Sequence, residues 1–414
     1  MNYEYFIAKR VIGGKAYKNS ISAPIIKIGV AAIAIGMVVM MVAIATGIGL
    51  QEKIREKVVA FNGHATITNY DSNASQESVV PITLNEKTAS FYPNFKTVDA
   101  VRHIQAVATK FGVIRTETDF EGAVFKGVGT DYDWQYFKSF LTEGHLPNFD
   151  SKWSVEVLIS KYLSNRLGLK LNDSFQMYFL KDDTEKPPNI ISFKIVGIYN
   201  SGFQDFDATY LLGNLRHIQR MNRWEENQIG SFEVFVENFE DLDSVGVEIY
   251  QNTPSNMNTS TVNEKFYSII EWVKIFDKNI YGIIAIMILV AGINMITALL
   301  VLILERTQMI GILKALGSTN WGIRMVFLYN ASYLILLGLF FGNIFGLSLL
   351  FIQKYFKPIA MNPDTYYVTE APVYISWSYI LWLNIGTMVL CIVMLLVPSY
   401  VITKISPVKA MRFE

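Results

Sequence analysis

The chain has 414 residues, a formal net charge of zero, a mean hydropathy of +0.28 and charged side chains at 17% of positions. A soluble domain is nearer a quarter charged, so the apolar excess argues against an ordinary soluble protein, and the balanced charge gives no footing for nucleic acid or another acidic polymer. The one cysteine, Cys391, excludes a disulfide scaffold within the chain.

In chain order, residues 1–24 come first. Tyr3, Phe6, Ile7 and Val11 recur at helical spacing, with Lys9 and Arg10 elsewhere around the wheel. Two readings stay open: a short amphipathic helix lying in a membrane interface, or a simple basic flank. Residues 28–50 carry no Asp, Glu, Lys or Arg, and exceed the ~20 residues a spanning helix needs. This run is longer than the ~7–15 residues of a signal-peptide core, and no small-x-small cleavage site follows. It predicts a permanent first span over 25–50.

Residues 51–279 are long enough to bury a sizeable core. The charged segment 51–60 keeps a helical pattern and predicts a stalk continuing the first span. Residues 155–159 predict a strand, with Ser160 capping a short helix that stops at Gly168. Further strands are predicted over 175–179, 191–199 and 232–236, followed by a helix with Leu242, Val245 and Ile249 on one face. Residues 251–261 are rich in Asn, Ser and Thr and predict a loop. The 180–190 segment holds Lys181, Asp182, Asp183, Glu185, Lys186, Pro187 and Pro188 between two strands. It reads either as a solvated hairpin loop or as a projecting contact for a soluble partner.

Three more uncharged stretches follow, predicting spans over 280–304, 325–352 and 373–402. The connections are 305–324 and 353–372, and the tail is 403–414. Asn294 and Asn384 are polar positions within spans, best explained by helix packing. Gly338, Gly342 and Gly346 recur every fourth position and let another helix approach closely, for packing or dimerisation. The fold class is an α-helical membrane protein with four transmembrane helices and a large α+β extracytoplasmic domain.

Basic residues mark the cytoplasmic side. Lys9, Arg10, Lys15, Lys18 and Lys27 face Glu4 before the first span; Arg306, Lys314 and Arg324 face Glu305 in one connection; Lys404, Lys409 and Arg412 face Glu414 in the tail. The 353–372 connection is balanced. Both termini and 305–324 are therefore expected inside, with 51–279 and 353–372 outside. Trp272, Tyr281, Tyr374, Trp377 and Tyr379 at outer ends and Trp321 at an inner end fit the aromatic belts of a bilayer interface.

Several chemistries lack their residues. Gly13-Gly14-Lys15 is followed by alanine and has no upstream glycine at P-loop spacing. His64, His103, His145 and His217 form no metal-binding pair, and no Gly-x-Ser-x-Gly elbow occurs. Asp182 and Asp183 are adjacent in a loop and give no reason to expect a shared acid–base cleft.

The connection Glu305-Arg306-Thr307-Gln308-Met309-Ile310-Gly311-Ile312-Leu313-Lys314-Ala315-Leu316-Gly317-Ser318 reads as a short helix. Ile310 and Leu313 share one side, Gly317 is the stop, and Ser318 or Thr319 caps the next span. It resembles the coupling helix of FtsX/MacB-type (mechanotransmission) ABC permeases, with Met309 where that family usually has an acid. Pro398-Ser399 and Pro407-Val408-Lys409-Ala410-Met411-Arg412-Phe413-Glu414 resemble the family's ending. Within the class, Phe6-Ile7-Ala8-Lys9-Arg10, Val290-Ala291-Gly292-Ile293-Asn294 and Tyr366-Tyr367-Val368-Thr369-Glu370-Ala371-Pro372-Val373 resemble the Lol lipoprotein-releasing permeases.

The resemblance implies a non-catalytic inner-membrane permease that binds no cofactor itself. ATP and Mg would be handled by a separate cytosolic ABC ATPase dimer docked at Glu305, Arg306, Ile310, Gly311, Ile312, Leu313, Lys314, Ala315, Leu316 and Gly317. A second permease copy or paralogue, a lipoprotein substrate and a periplasmic lipoprotein carrier are the other implied partners. The 180–190 loop lies where one Lol subunit carries its hook for the carrier, a positional match only. Uncharged spans one and two are expected to line an apolar cavity for acyl chains. The alternative is a signalling permease controlling an envelope hydrolase, or an efflux permease; a receptor without an ATPase fits the coupling helix poorly.

The orientation is testable in intact cells after Cys391→Ser. A membrane-impermeant maleimide should label Lys181→Cys and spare Ser318→Cys until the cells are opened; the reverse pattern would invert the topology.

Overall fold

The computed structural model describes residues 3–13, 23–70, 77–78, 80–149, 151–181 and 187–405. Residues 182–186 of the proline loop, with Asp182, Asp183, Glu185 and Lys186, and the 406–414 ending lie outside the described residues.

Helices α1 (Tyr3–Gly13) and α2 (Ala23–Asn62) come first, then strands β1 (Ala65–Asn69), β2 (Ile82–Thr83), β3 (Val101–Arg115) and β4 (Phe120–Val128). Next are α3 (Gln135–Phe140), β5 (Leu141–Gly144), β6 (Glu156–Ser160), α4 (Lys161–Leu167), β7 (Ser174–Phe179) and β8 (Asn189–Tyr199). The domain ends with α5 (Gln204–Thr209), β9 (Tyr210–Asn214), α6 (Arg216–Asn222), β10 (Gln228–Ile229), β11 (Ser231–Val236), α7 (Leu242–Gln251), β12 (Met257–Thr261) and α8 (Val262–Lys265). Then follow α9 (Tyr267–Glu305), α10 (Thr307–Ala315), α11 (Asn320–Phe356), α12 (Pro363–Tyr366), α13 (Trp377–Ser399) and α14 (Val401–Lys404). Four helices among the described residues are long and apolar enough to cross a bilayer: Pro24–Asn62, Tyr267–Glu305, Asn320–Phe356 and Trp377–Lys404. The charged segment 51–60 is helical as predicted, inside α2.

The chain forms two compact units. One holds residues 1–51, 274–360 and 371–414; the other holds 52–273 and 361–370.

In the second unit a mixed sheet runs β12-β1-β11-β3-β4-β9-β6-β8-β5, with β7 bridging β3 and β8. Most pairs are antiparallel, but β4–β9 and β6–β8 are parallel. Interior strands bury both faces: Ile195, Val196, Ile198 and Tyr199 of β8 are all buried, so its alternation fades toward the C-terminus. Ser160 caps α4 by accepting from Leu163 N, and Gly168 ends it in the left-handed region at φ 67°, both as the sequence predicts. Within 251–261, residues 252–256 are turn and loop as expected, and the rest differs. Met257–Thr261 is a strand, in register with β1 from Asn69↔Met257 to Ala65↔Thr261. Its polar composition suits an edge strand, where the cross-strand partner decides more than intrinsic propensity.

The end of α2 is held by a buried charge cluster. Lys126 on β4 donates to Phe61 O (2.8 Å) and pairs with Glu233 on β11 (2.6 Å), both side chains at most 5% exposed. Gln105 on the intervening β3 donates to the same carboxylate at 2.9 Å. Phe61 also stacks on Phe206 (4.8 Å between centroids) and meets Phe137 edge-on. Gly63 follows at φ 66°, donating to Val59 O at 2.8 Å; a Cβ there would press on Glu233 and the Val234 backbone at 3.1 Å.

His64 then enters β1, buried, with Nδ1 accepting from Val236 N at 3.2 Å. Burial, helped by the nearby Arg102 cation, lowers its pKa from 6.5 to about 4. Between those values the unfolded chain binds the proton that the folded one refuses, so stability falls as pH drops from 6.5 toward 4. The loss should reach roughly 3 kcal/mol by about pH 4. Urea unfolding of the domain in the full chain, followed by limited proteolysis, should show a flatter acid slope in His64→Gln.

Candidate functional site

The short helix α10 is built by its ends. Gly317 N donates to Lys314 O and Ser318 N to Leu313 O, with Gly317 at φ 90°, a Schellman stop. Thr319, not Ser318, caps α11 by accepting from Gly322 N at 3.1 Å. Ser318 Oγ instead meets the Tyr3 hydroxyl of α1 at 2.6 Å.

Its faces are unequal. Ile310 and Gly311 are buried, and Met309 and Leu313 pack against the helix core. Glu305, Gln308, Ile312, Ala315 and Leu316 are exposed, with Ile312 at 47% and Leu316 at 78%. The side that Ile310 and Leu313 share therefore points inward, and the apolar residues open to a partner are Ile312 and Leu316. Arg306 has its Nε buried without a hydrogen bond. Lys314 also turns inward: its ammonium donates to Ile402 O (2.8 Å), Thr403 O (3.3 Å) and Ile405 O (2.7 Å). Close by, Arg324 donates from Nε to Ser399 Oγ and from a guanidinium NH2 to Leu396 O, both at 3.0 Å.

The glycine ridge of α11 packs against α2 of the same chain. A Cβ at Gly338 would meet Ile33 Cβ at 2.7 Å, one at Gly342 would meet Met37 Cβ at 2.6 Å, and one at Gly346 would meet Met41 Sδ at 3.0 Å. On another side of α11, Asn343 and Asn384 of α13 exchange side-chain hydrogen bonds at 2.7 and 3.1 Å. Asn294 donates to Val290 O of its own helix at 3.0 Å. An apolar groove of about 850 Å³ runs between α2 and α11, lined by Val30, Ala34, Leu334, Phe341 and Phe345 among others, with Lys27 its charged residue. It is formed by the first and third apolar helices.

In the second unit, the 361–370 segment is clamped to the domain. Lys57 donates to Tyr367 O at 2.7 Å, and Tyr367, at φ 57°, stacks on Phe203 (4.5 Å) and meets Trp272 edge-on (5.7 Å). Burial lowers the Lys57 pKa to about 8, partly offset by the Asp207 carboxylate. No periodicity in the sequence announces this clamp. Among the described residues no group of three or more His, Cys, Asp and Glu is placed to hold a metal; His103 bonds Asp131 O, His145 Leu146 O and His217 Ser154 O. Of the proline loop, Lys181, Pro187 and Pro188 follow and precede the hairpin strands β7 and β8, with Leu180 64% exposed.

Long apolar helices, a mixed-sheet domain inserted between the first two, and a short capped helix between the second and third define a multi-span membrane protein carrying a folded domain. The family model for the MacB-like periplasmic core domain matches residues 28–252, and that for the FtsX-like permease C-terminal region matches 281–407. The chain belongs to this FtsX/MacB family and is an ABC-transporter permease. The lipoprotein-releasing system transmembrane protein LolC of Xylella fastidiosa is 21% identical over 405 residues, covering 92% of each chain. LolE of Haemophilus influenzae is 21% identical over 427 residues, covering 99% of each. The extracellular domain of the ABC-type transporter YknZ from Gram-positive bacteria covers 47% of this chain and 98% of its own, at 14% identity and a TM-score of 0.31.

The glycine contacts yield a paired test. Gly342→Ala should lower the melting temperature of the detergent-solubilised chain by an amount equivalent to about 1–3 kcal/mol, because the methyl group overpacks against Met37. Gly386→Ala, with nothing within 4 Å of the new Cβ, should leave it unchanged or raised.

Proposed function

We propose that this chain is the membrane subunit of a system that releases lipoproteins from the outer leaflet of the inner membrane and passes them to a periplasmic carrier. The carrying observation is collinearity: relatives named for lipoprotein release align over 92–99% of both chains, through the helices and the domain alike. A separate ATPase dimer docks on the open face of α10, with Ile312 and Leu316 as apolar contacts and Glu305, Gln308 and Ala315 around them. Both termini and α10 lie in the cytoplasm, and 52–273 lies in the periplasm. The transporter contains a second copy of this chain or a paralogue. ATP and Mg are bound by the ATPase.

The physics of the substrate constrains the mechanism. Each CH₂ drawn into water costs about 0.8 kcal/mol. Three chains of about 16 carbons, fully bared, would cost roughly 40 kcal/mol, beyond what a nucleotide cycle supplies. The acyl chains therefore pass from bilayer to apolar protein surface to a shielding carrier. ATP-driven motion of α10 shifts the membrane helices, and α2 and α9 relay it into the domain as unbroken helices. The 180–190 loop, between β7 and β8, is the proposed carrier contact.

The test uses Ile312→Glu/Leu316→Glu. Membrane levels of the chain should stay normal, while co-purification of the ATPase and release of lipoprotein from spheroplasts to the carrier each fall at least tenfold. Normal ATPase recovery would remove the docking face; normal ATPase binding by the unaltered chain with no lipoprotein release would point to a hydrolase or efflux partner instead.

A further inference from the structure

α13 contains Pro398 one residue from its end. Proline lacks the N–H for the carbonyl four residues back and its ring crowds that carbonyl, so a helix bends or breaks there. Here the regular bonding of α13 ends at Ser399; Tyr400 keeps right-handed helical backbone (φ −63°, ψ −22°) but makes a tighter bond, from its N–H to Val397 O at 3.1 Å, before the chain runs on as the single turn α14. The two sides of this break are fastened to different elements. Arg324 of α11 holds Leu396 O just above it and Ser399 Oγ within it. Below it, Lys314 of α10 holds the carbonyls of Ile402, Thr403 and Ile405. These carbonyls lie at and just beyond the end of the single turn α14, where Ile402 O also accepts from Ile405 N at 3.4 Å. Three acceptors occupy the three donors a lysine has. Lys314 is thus committed within the chain rather than offered to a partner.

We propose that Lys314 is a positioning residue that couples α10 to the inner end of the fourth membrane helix, so that the Pro398–Tyr400 break works as a hinge during the ATPase cycle. The proposal rests on α10 being the ATPase contact. When α10 moves, its ammonium carries α14 along, while Arg324 keeps the body of α13 on α11. The fourth helix then becomes a third route for motion beside α2 and α9, and it begins on the inward face of α10, opposite Ile312 and Leu316.

The experiment uses the full complex with its ATPase in nanodiscs, on a Cys391→Ser background. Spin labels at Lys404→Cys and Asn320→Cys, both exposed positions, report the distance from α14 to the foot of α11. In the wild-type pair this distance should change between nucleotide-free and ATP–vanadate-trapped states. Lys314→Met should abolish the change while ATPase co-purification stays within twofold, and Lys314→Arg should restore it. If the ATPase co-purifies but the wild-type distance does not move, or if the movement survives in Lys314→Met, the hinge is wrong and the docking reading stands. If no ATPase binds the unaltered chain, the docking reading falls and the hinge with it.

Discussion

Lys126 sits where a forty-residue helix stops, and a helix end is a row of carbonyls without partners. Burying that end in a protein domain is tolerable only if something donates to it. Lys126 does so at Phe61 O, and its own charge is answered by Glu233, which Gln105 also holds. One ammonium on β4, one carboxylate on β11 and one amide on β3 thereby tie α2 to three adjacent strands. A buried pair of this kind adds little net stability over apolar packing, but removing one partner alone costs about 3–5 kcal/mol. It fixes where α2 ends more than how strongly the domain folds.

The same device recurs. Lys57 donates to Tyr367 O, and Lys314 to three carbonyls at the end of α14. In each case a long flexible side chain reaches backbone carbonyls at a helix end or in a connection, where the regular ladder runs out. Ammonium groups suit this because their donors rotate freely, whereas a guanidinium offers a fixed fork. Arg324 uses that fork differently, bridging a hydroxyl and a carbonyl near a proline break.

Much of this was legible in the sequence where one residue type answers one local demand. Uncharged runs longer than a bilayer is thick marked the four helices; Ser160 and Gly168 marked the two ends of α4. The pattern of α10 was readable as a helix, but not which of its faces turns inward. Ile310–Leu313 and Ile312–Leu316 are both apolar pairs, and only the packing of α10 on its neighbours separates them. The glycine ridge announced a close neighbour without saying that α2 would be that neighbour. The strand β12 was hidden because its Asn, Ser and Thr residues earn their conformation from β1, and the lysine-to-carbonyl bonds left no signal because a backbone acceptor has no residue type.

The pairing of β1 with β12 bears on biogenesis. The first strand of the domain lies between β11 and β12, its last two long-strand neighbours in chain order. During synthesis β1 is made early and must wait, one edge bare until β11 is complete at residue 236 and the other until β12 is complete at residue 261. Parallel pairs β4–β9 and β6–β8 add further delay, since each needs its crossover complete. A nascent chain stalled before β12 therefore exposes an aggregation-prone edge, and chaperone protection matters most in that interval.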